Sequence, residues 1–161
     1  TTLYEIPQEF LTDYLPTVSA SQLSTNSGDT ITLEFLTPTR IKYRDRYIND
    51  LEFHILIRNL LRRISMLMLY HCNTELDADV NELIEKAKSV EVKNWDLDWH
   101  DNQRYSTRQK RRMKLGGVVG KVTYQGNLEP FIHLLALGEQ VHVGKGTTFG
   151  LGRYIIFRKD I

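Results

Sequence analysis

The sequence predicts an α+β fold, a ferredoxin-like β-α-β-β-α-β arrangement with helices on one face of an antiparallel sheet. Segments with the two-residue period of a strand occur near the beginning, in the middle and at the end of the 161-residue chain. Two segments with the period of an amphipathic helix lie between them, and a helical insertion follows the first helix. A glycine-rich loop precedes the last strand.

The first predicted strand follows a polar stretch. Residues 1–29 contain four acidic residues, no basic residue and little periodicity, so they are predicted to form a linker or an arm. A single domain is then predicted over residues 30–161. It begins with the strand ITLEF, in which Ile31, Leu33 and Phe35 share one face.

A long helix is predicted to begin near Asn49 or Asp50, with Arg58 and Arg62 on its polar face. Its apolar residues recur at spacings of three and four, as a helix packed on a sheet requires. They are Phe53, Leu56, Ile57, Leu60, Leu61, Ile64, Leu67 and Met68.

The helical insertion is predicted over residues 76–88, with Glu82 and Lys86 one turn apart as an ion pair. The strand-like run that follows changes phase, which indicates a β-bulge. Val90 and Val92 keep one phase, and the other phase is kept by Trp95, Leu97 and Trp99. Two tryptophans in phase with a leucine favour a position in the core.

The next segment is predicted to be a hairpin, because Gly116-Gly117 interrupts the pattern and VVGKVTY resumes it. A third helix is predicted to be capped by Asn127 and to end at Gly138. The residues RYIIF, β-branched and aromatic, predict the last strand.

Composition excludes several classes of protein. A hydrophobic content of 41% is enough for one buried core. No apolar run has the length of a membrane helix, and the first residues lack the pattern of a signal peptide, so no membrane association is expected. The single cysteine, Cys72, excludes an internal disulfide framework and predicts a cytoplasmic protein.

The charge is divided unevenly along the chain. Residues 1–101 contain 17 acidic and 10 basic residues, a balance of −7, and residues 102–161 contain 3 acidic and 11 basic residues, a balance of +8. Much of the positive charge lies in RYSTRQKRRMK. A polyanion such as RNA is the natural partner of such a half, although basic residues also cover solvated strand faces. The predicted RNA contacts of this segment are Arg104, Tyr105, Arg108, Arg111 and Arg112.

The glycine-rich stretch HVGKGTTFGLGRY predicts positive φ angles and backbone amides that could bind an anion. It is not a nucleotide-binding P-loop, because five residues separate Gly138 from Gly144 and Lys145 is followed by glycine. Phe149 is expected to anchor the loop in the core. The predicted RNA-binding residues of the loop are Gly144, Lys145, Gly146, Thr147, Thr148, Gly150, Gly152 and Arg153.

No pair of the five histidines lies close enough in sequence to define a catalytic site. His142 is the one catalytic candidate, because it adjoins the glycine-rich loop. His71 is explained by its place at a helix end, where a cation is favoured. No motif for a metal or a cofactor is present, and none is predicted.

Four segments carry a family resemblance: FLTPTRI, LLRRISML, RYSTRQ with LGGVVGKVTYQG, and LGEQVHVGKGTTFGLGRY, the last being the most specific. They resemble the C-terminal half of the CRISPR repeat-processing endoribonucleases, which belong to the repeat-associated mysterious protein (RAMP) superfamily. The resemblance covers about residues 31–154. It implies two tandem ferredoxin-like domains, of which this chain provides one, and metal-independent cleavage of the precursor transcript within each repeat.

The resemblance also implies that the glycine-rich loop helps to hold the RNA and that the catalytic histidine commonly lies in the N-terminal domain. This chain alone is therefore expected to bind the CRISPR repeat transcript and to be inactive as a nuclease. Other CRISPR-associated proteins are candidate partners, and a homodimer is left open. Two alternatives remain: a non-catalytic RNA-binding subunit of a CRISPR effector complex, and a protein-interaction module that uses the acidic residues 75–101.

Overall fold

The computed structural model describes residues 30–101, 103–106 and 111–157, and gives the backbone alone for residues 104–106 and 111–114. The strands are β1 (Thr30–Thr39), β2 (Lys42–Tyr43), β3 (Arg46–Tyr47), β4 (Glu91–His100), β5 (Gln103–Ser106), β6 (Arg111–Lys114), β7 (Gly117–Gln125) and β8 (Tyr154–Phe157). The α-helices are α1 (Phe53–Leu67), α2 (Val80–Ala87) and α3 (Ile132–Val141). A π-helical segment, Met68–Cys72, continues α1. Short 3₁₀ turns cover Glu129–Phe131 and Thr147–Phe149.

The main sheet has four antiparallel strands in the order β4-β7-β1-β8. Strands β1 and β4 are connected through α1 but separated in the sheet by β7. Strands β7 and β8 are connected through α3 but separated by β1. This interleaving of two β-α-β units is the ferredoxin-like arrangement, with α2 inserted after α1. The predicted fold class is confirmed.

The core lies between the sheet and the helices. Helix α1 buries seven residues in this core: Phe53, Ile55, Leu56, Ile57, Leu60, Leu61 and Ile64. The ring of Phe53 packs edge to face on Tyr124 and Phe131, with centroids 4.9 and 5.1 Å apart. Leu33 and Phe35 of β1 are buried as their alternation predicts. No helix in the described ranges is long and apolar enough to cross a membrane.

Two helix boundaries differ from the sequence prediction. Helix α1 begins at Phe53 rather than near Asn49, after Glu52 in extended conformation. Helix α2 begins at Val80 rather than at residue 76, because the Asp79 side chain accepts a hydrogen bond from the Glu82 amide and caps it there. The Glu82–Lys86 ion pair of α2 is present, with 2.6 Å between Oε1 and Nζ.

Both predicted ends of the third helix are wrong. Asn127 is not the cap, because a 3₁₀ turn, Glu129–Phe131, precedes α3. Gly138 lies inside α3, which ends at Val141. A Cβ atom at Gly138 would overlap the hydroxyl of Tyr154, so this glycine serves close packing between α3 and β8.

The predicted bulge in β4 is confirmed, because the pairing of β4 with β7 shifts between Val92 and Asn94. The predicted core position of the two tryptophans is wrong. Trp95 is 60% exposed and Trp99 is 36% exposed, whereas Leu97 between them packs against the core. Strand β4 lies at the edge of the sheet, and this position rather than the alternation decides the exposure of the two indoles.

Tyr154→Phe is expected to lower the free energy of unfolding by about 1 kcal/mol near pH 7, because the Tyr154 hydroxyl donates a buried hydrogen bond to the Leu135 carbonyl. Burial, with Glu139 nearby, raises the pKa of Tyr154 well above its ordinary value. The unfolded chain therefore loses its phenolic proton first, and stability falls as the pH rises above about 10. This fall should be shallower in the variant.

Urea denaturation between pH 7 and 11 measures both effects of this change. Tyr70→Phe is the control, since the Tyr70 side chain is 71% exposed and loss of its hydroxyl should leave the free energy of unfolding near pH 7 unchanged. Equal behaviour of the two variants would contradict the role of the Tyr154 hydroxyl.

Candidate nucleic-acid interface

The glycine-rich loop, residues 142–153, connects α3 to β8 and turns back over the end of β1. Its four glycines have the positive φ angles predicted from the sequence, +83° at Gly144, +79° at Gly146, +80° at Gly150 and +74° at Gly152. L side chains rarely adopt such angles. The backbone conformation of the loop therefore explains why glycine occupies these four positions.

The loop is bonded to the segment TPTR at the end of β1. The Lys145 amide donates to the Arg40 carbonyl (2.9 Å) and the Gly152 amide donates to the Pro38 carbonyl (3.1 Å). The Thr37 hydroxyl donates to the Gly150 carbonyl and accepts from the Arg153 amide, each at 2.9 Å. Two motifs that are 113 residues apart along the chain thus form one structural unit.

Two glycines of the loop lie against the backbone of other residues. A Cβ atom at Gly144 would be 2.6 Å from the Arg40 carbonyl oxygen, and one at Gly152 would overlap the Val143 carbonyl. Within the described residues, the amides of Gly146, Thr147 and Thr148 have no hydrogen-bond acceptor. The approach of Gly144 to Arg40 holds the loop against the end of β1, and the approach of Gly152 to Val143 closes the loop on itself. The three amides stay available to an anion.

A cleft of about 880 Å³ opens beside the loop, between the β2–β3 hairpin and the polar face of α1. We call it the basic cleft. Its lining residues are Lys42, Arg44, Asp45, Asn59, Arg62, Arg63, Met66, Leu67, Tyr70, His71, Gly144 and Lys145. Five cations and one carboxylate give this lining a formal charge of +4 with His71 neutral.

The β2–β3 hairpin presents its basic residues through a tight turn. Arg44 and Asp45 have φ angles of 46° and 63°, as the two central residues of a type I′ turn require. The Lys42 ammonium lies 2.9 Å from the Asp45 carboxylate. This hydrogen bond raises the pKa of Lys42 and lowers the pKa of Asp45. The one acid of the cleft is therefore already paired with Lys42.

The other cations of the cleft lack such a partner. Arg63 Nε donates to the Val141 carbonyl at 2.9 Å, which fixes α1 to the end of α3. In the part of the chain that the structure describes, no carboxylate lies within ion-pair distance of Arg44, Arg62, Arg63 or Lys145. Like charges held together in a concave surface create a positive potential that a polyanion can neutralise.

Comparison with known proteins identifies the family. The sequence model of the CRISPR-associated endoribonuclease Cas6 family matches residues 33–154, more than half of the chain and all of the residues that line the basic cleft. The chain belongs to the Cas6 family. No curated protein sequence matches it.

Solved structures of Cas6 proteins share the fold. Thermus thermophilus Cas6 (TTHB231) superimposes with a TM-score of 0.62 at 21% identity, over 81% of this chain and 54% of that one. The Cas6 (TTHA0078) product complex gives 0.56 at 20% identity, over 86% and 56%. A partial Cas6-RT-Cas1–Cas2 complex gives 0.62 at 23% identity, over 87% and 25%. The chain thus spans about half the length of the first two Cas6 proteins.

The basic hairpin of this Cas6 chain is only partly described. Arg104 and Tyr105 lie in β5, and Arg111 and Arg112 lie in β6, which pairs with β5. Their side chains lie outside the described part of the chain, and Arg108 lies outside it altogether. Their contact with RNA stays a prediction. The hairpin predicted across Gly116-Gly117 differs from this pairing, because β7 pairs with β4 and β1.

Phe149 does not anchor the glycine-rich loop, because its side chain is 48% exposed. The prediction is wrong because Phe149 ends a 3₁₀ turn at the outer side of the loop, followed by Gly150 in left-handed conformation. Val143, which is fully buried, and Leu151, which is nearly so, hold the loop instead.

His142 has a structural role in this geometry. It follows the last residue of α3 with φ 62°, and its ring Nδ1 lies 3.2 Å from the Leu151 carbonyl, to which it donates. The catalytic role of His142 stays a prediction. Within the described ranges, no three side chains of histidine, cysteine, aspartate or glutamate are placed to hold a metal ion together. The absence of a cofactor stays a prediction.

Sequence reasoning missed four members of the basic cleft as a site: Lys42, Arg44, Arg62 and Arg63. It placed Arg62 correctly on the polar face of α1, where it is exposed. The available signal was the density of cations in RIKYRDR and LLRR, two stretches that overlap the segments carrying the family resemblance. The folded chain brings these cations to the side of Lys145, because the β2–β3 hairpin carries Lys42 and Arg44 and α1 carries Arg62 and Arg63.

Proposed function

We propose that this chain is the C-terminal, RNA-binding domain of a CRISPR repeat-processing endoribonuclease, and that the basic cleft binds phosphates of the precursor transcript. One observation carries the proposal: four cations without a carboxylate partner among the described residues line a cleft of about 880 Å³ beside the glycine-rich loop. Phosphate contacts supply most of the affinity of proteins for nucleic acids.

Different residues take different parts in this binding. Lys145 on the glycine-rich loop and Arg62 on α1 are both exposed and line the same cleft. The RNA phosphates therefore contact side chains of two different elements. The amides of Gly146, Thr147 and Thr148 are free to donate to phosphate oxygens within the described structure. Tyr70, at the rim of the cleft, offers an exposed ring on which a base can stack.

The reaction proposed for the full-length enzyme needs no metal. The 2′-hydroxyl oxygen attacks the adjacent phosphorus, and the 5′-oxygen of the next nucleotide leaves. A base removes the 2′ proton, an acid supplies a proton to the leaving oxygen, and cations stabilise the charged phosphorane. The role of this chain is to hold the repeat in register for that step.

The named Cas6 complexes support the choice of ligand and partners. Solved relatives include a Cas6 product complex, a Cas6 substrate mimic complex and a Cas6-RT-Cas1–Cas2 complex. We extend to this chain an RNA ligand and CRISPR-associated protein partners. A cytoplasmic location and a homodimer stay predictions.

The purified chain is expected to bind repeat RNA but to leave it uncut in EDTA, because the family resemblance implies that the catalytic histidine lies in the N-terminal domain. Incubation with end-labelled repeat RNA, followed by gel electrophoresis, measures the cleavage. Addition of an N-terminal Cas6 domain in trans should produce a cut at one position. His142→Ala should not change that cut, because His142 bonds to Leu151 within the loop.

Efficient cutting at one position by the chain alone, abolished by His142→Ala, would place the active site here. A chain that binds no repeat RNA would overturn the proposed function itself.

A further inference from the structure

Strand β4 forms a long open edge of the main sheet. It has ten residues, Glu91–His100, and among the described strands it pairs with β7 alone. The opposite edge, β8, has only four residues. An open edge presents a row of backbone donors and acceptors that can pair with another strand, and proteins usually keep such edges short or block them.

The two faces of β4 differ in chemistry. Trp95 and Trp99 lie on the face that carries the core, opposite Val122 and Val118, yet both indoles are exposed. Asp96 and Asp98 alternate with them on the other face, and no described cation lies within ion-pair distance of either carboxylate. From Trp95 to Trp99, the strand therefore alternates apolar residues, two of them aromatic, with acidic residues.

Protection of the edge against self-association explains only the acidic half of this pattern. Charged residues on an edge strand hinder self-association, which accounts for the aspartates. The same protection would be weakened by two exposed tryptophans, which are the residues most typical of binding surfaces. The combination favours a strand that does not pair with a second copy of this chain. It can instead bind a partner whose side chains alternate in a complementary pattern.

We infer that β4 is a docking strand for a protein partner, and that the partner adds an extended segment in which basic and apolar residues alternate. Residues 75–101, the segment that contains β4, carry nine acidic and three basic residues, a balance of −6, which favours a basic partner. The apolar residues of the segment would pack on Trp95 and Trp99, and its basic residues would meet Asp96 and Asp98.

This inference is independent of the proposed function. The basic cleft is formed by the β2–β3 hairpin, α1 and the glycine-rich loop, and shares no residue with β4. An RNA ligand and a basic protein segment can therefore bind the same chain at once.

The test uses the two tryptophans as reporters, because they are the only ones in the chain and both lie in β4. A synthetic decapeptide of alternating arginine and valine should shift their fluorescence emission to shorter wavelength in a saturable titration. A peptide of alternating glutamate and valine should cause no shift. A peptide with five arginines followed by five valines should bind more weakly, because it cannot match the period of the strand.

Asp96→Asn combined with Asp98→Asn should weaken binding of the alternating arginine peptide about tenfold, as expected for two exposed charge contacts. Glu75→Gln combined with Asp77→Asn is the matched control, since it removes two exposed charges outside β4 and should not change the affinity. Repeat RNA should bind all these variants equally.

The inference is overturned if the alternating arginine peptide causes no shift. It is also overturned if the two double variants lose affinity equally or the block peptide binds as tightly, because attraction between net charges would then be sufficient.

Discussion

Gly152→Ala is expected to destabilise the chain by about 3 kcal/mol, the sum of left-handed strain and steric overlap in a closed loop. Gly152 has a φ angle of +74°, and an added Cβ would overlap the carbonyl of Val143. The Val143 amide donates to the Gly152 carbonyl at 3.0 Å, so the two backbones cannot separate without loss of this bond. Urea denaturation of the parent and the variant measures the difference.

Gly150→Ala is the matched control for this prediction. Gly150 has nearly the same φ angle, +80°, but an added Cβ would meet no atom within 4 Å. Its expected cost is therefore the left-handed strain alone, about 1 kcal/mol. If both variants lose the same stability, the close approach of Gly152 to Val143 does not constrain the loop.

Arg62→Ala combined with Lys145→Ala is expected to weaken binding of repeat RNA about thirtyfold at low salt, the equivalent of two charge-assisted contacts of about 1 kcal/mol each. The two residues lie on α1 and on the glycine-rich loop but line the same cleft. The slope of log affinity against log salt should become shallower by about 1.4, since each phosphate contact on a single strand contributes about 0.7. Fluorescence anisotropy with labelled RNA at several salt concentrations measures both quantities.

Arg58→Ala is the control, because Arg58 is also exposed on α1 but does not line the basic cleft. Its effect on affinity should be small, and its melting temperature should match that of the double variant. If the double variant binds RNA as tightly as the Arg58 variant, the basic cleft is not part of the RNA interface. A double variant that melts several degrees lower would show that these cations are structural.

The fold class could be predicted because periodicity reports which face of each element is buried. Leu33 and Phe35 of β1 and the apolar face of α1 are buried where the sequence placed them. The bulge in β4 also followed from a local change of phase. These features depend on neighbouring residues, so a single segment contains the information.

The helix ends could not be predicted, because they depend on contacts from elsewhere in the chain. The sequence predicts a helix terminus at Gly138, but this residue lies within α3. Glycine is needed there because Tyr154 of β8 occupies the space that a side chain would take. The alternation predicts that Trp95 and Trp99 are core residues, but the order of strands places β4 at the edge of the sheet and both indoles are exposed. The position of a strand in a sheet is a tertiary property.

The sequence by itself determined the ferredoxin-like order of elements, the positive φ angles of the glycine-rich loop and the resemblance that led to the Cas6 family. The tertiary structure alone decided which cations form the candidate site. Lys145 is joined to Arg62 and to the β2–β3 hairpin because the loop bonds to the end of β1, and β1 leads directly into that hairpin. Charge can be counted along a sequence, but the potential of a cleft depends on distances between residues that only the folded chain brings together.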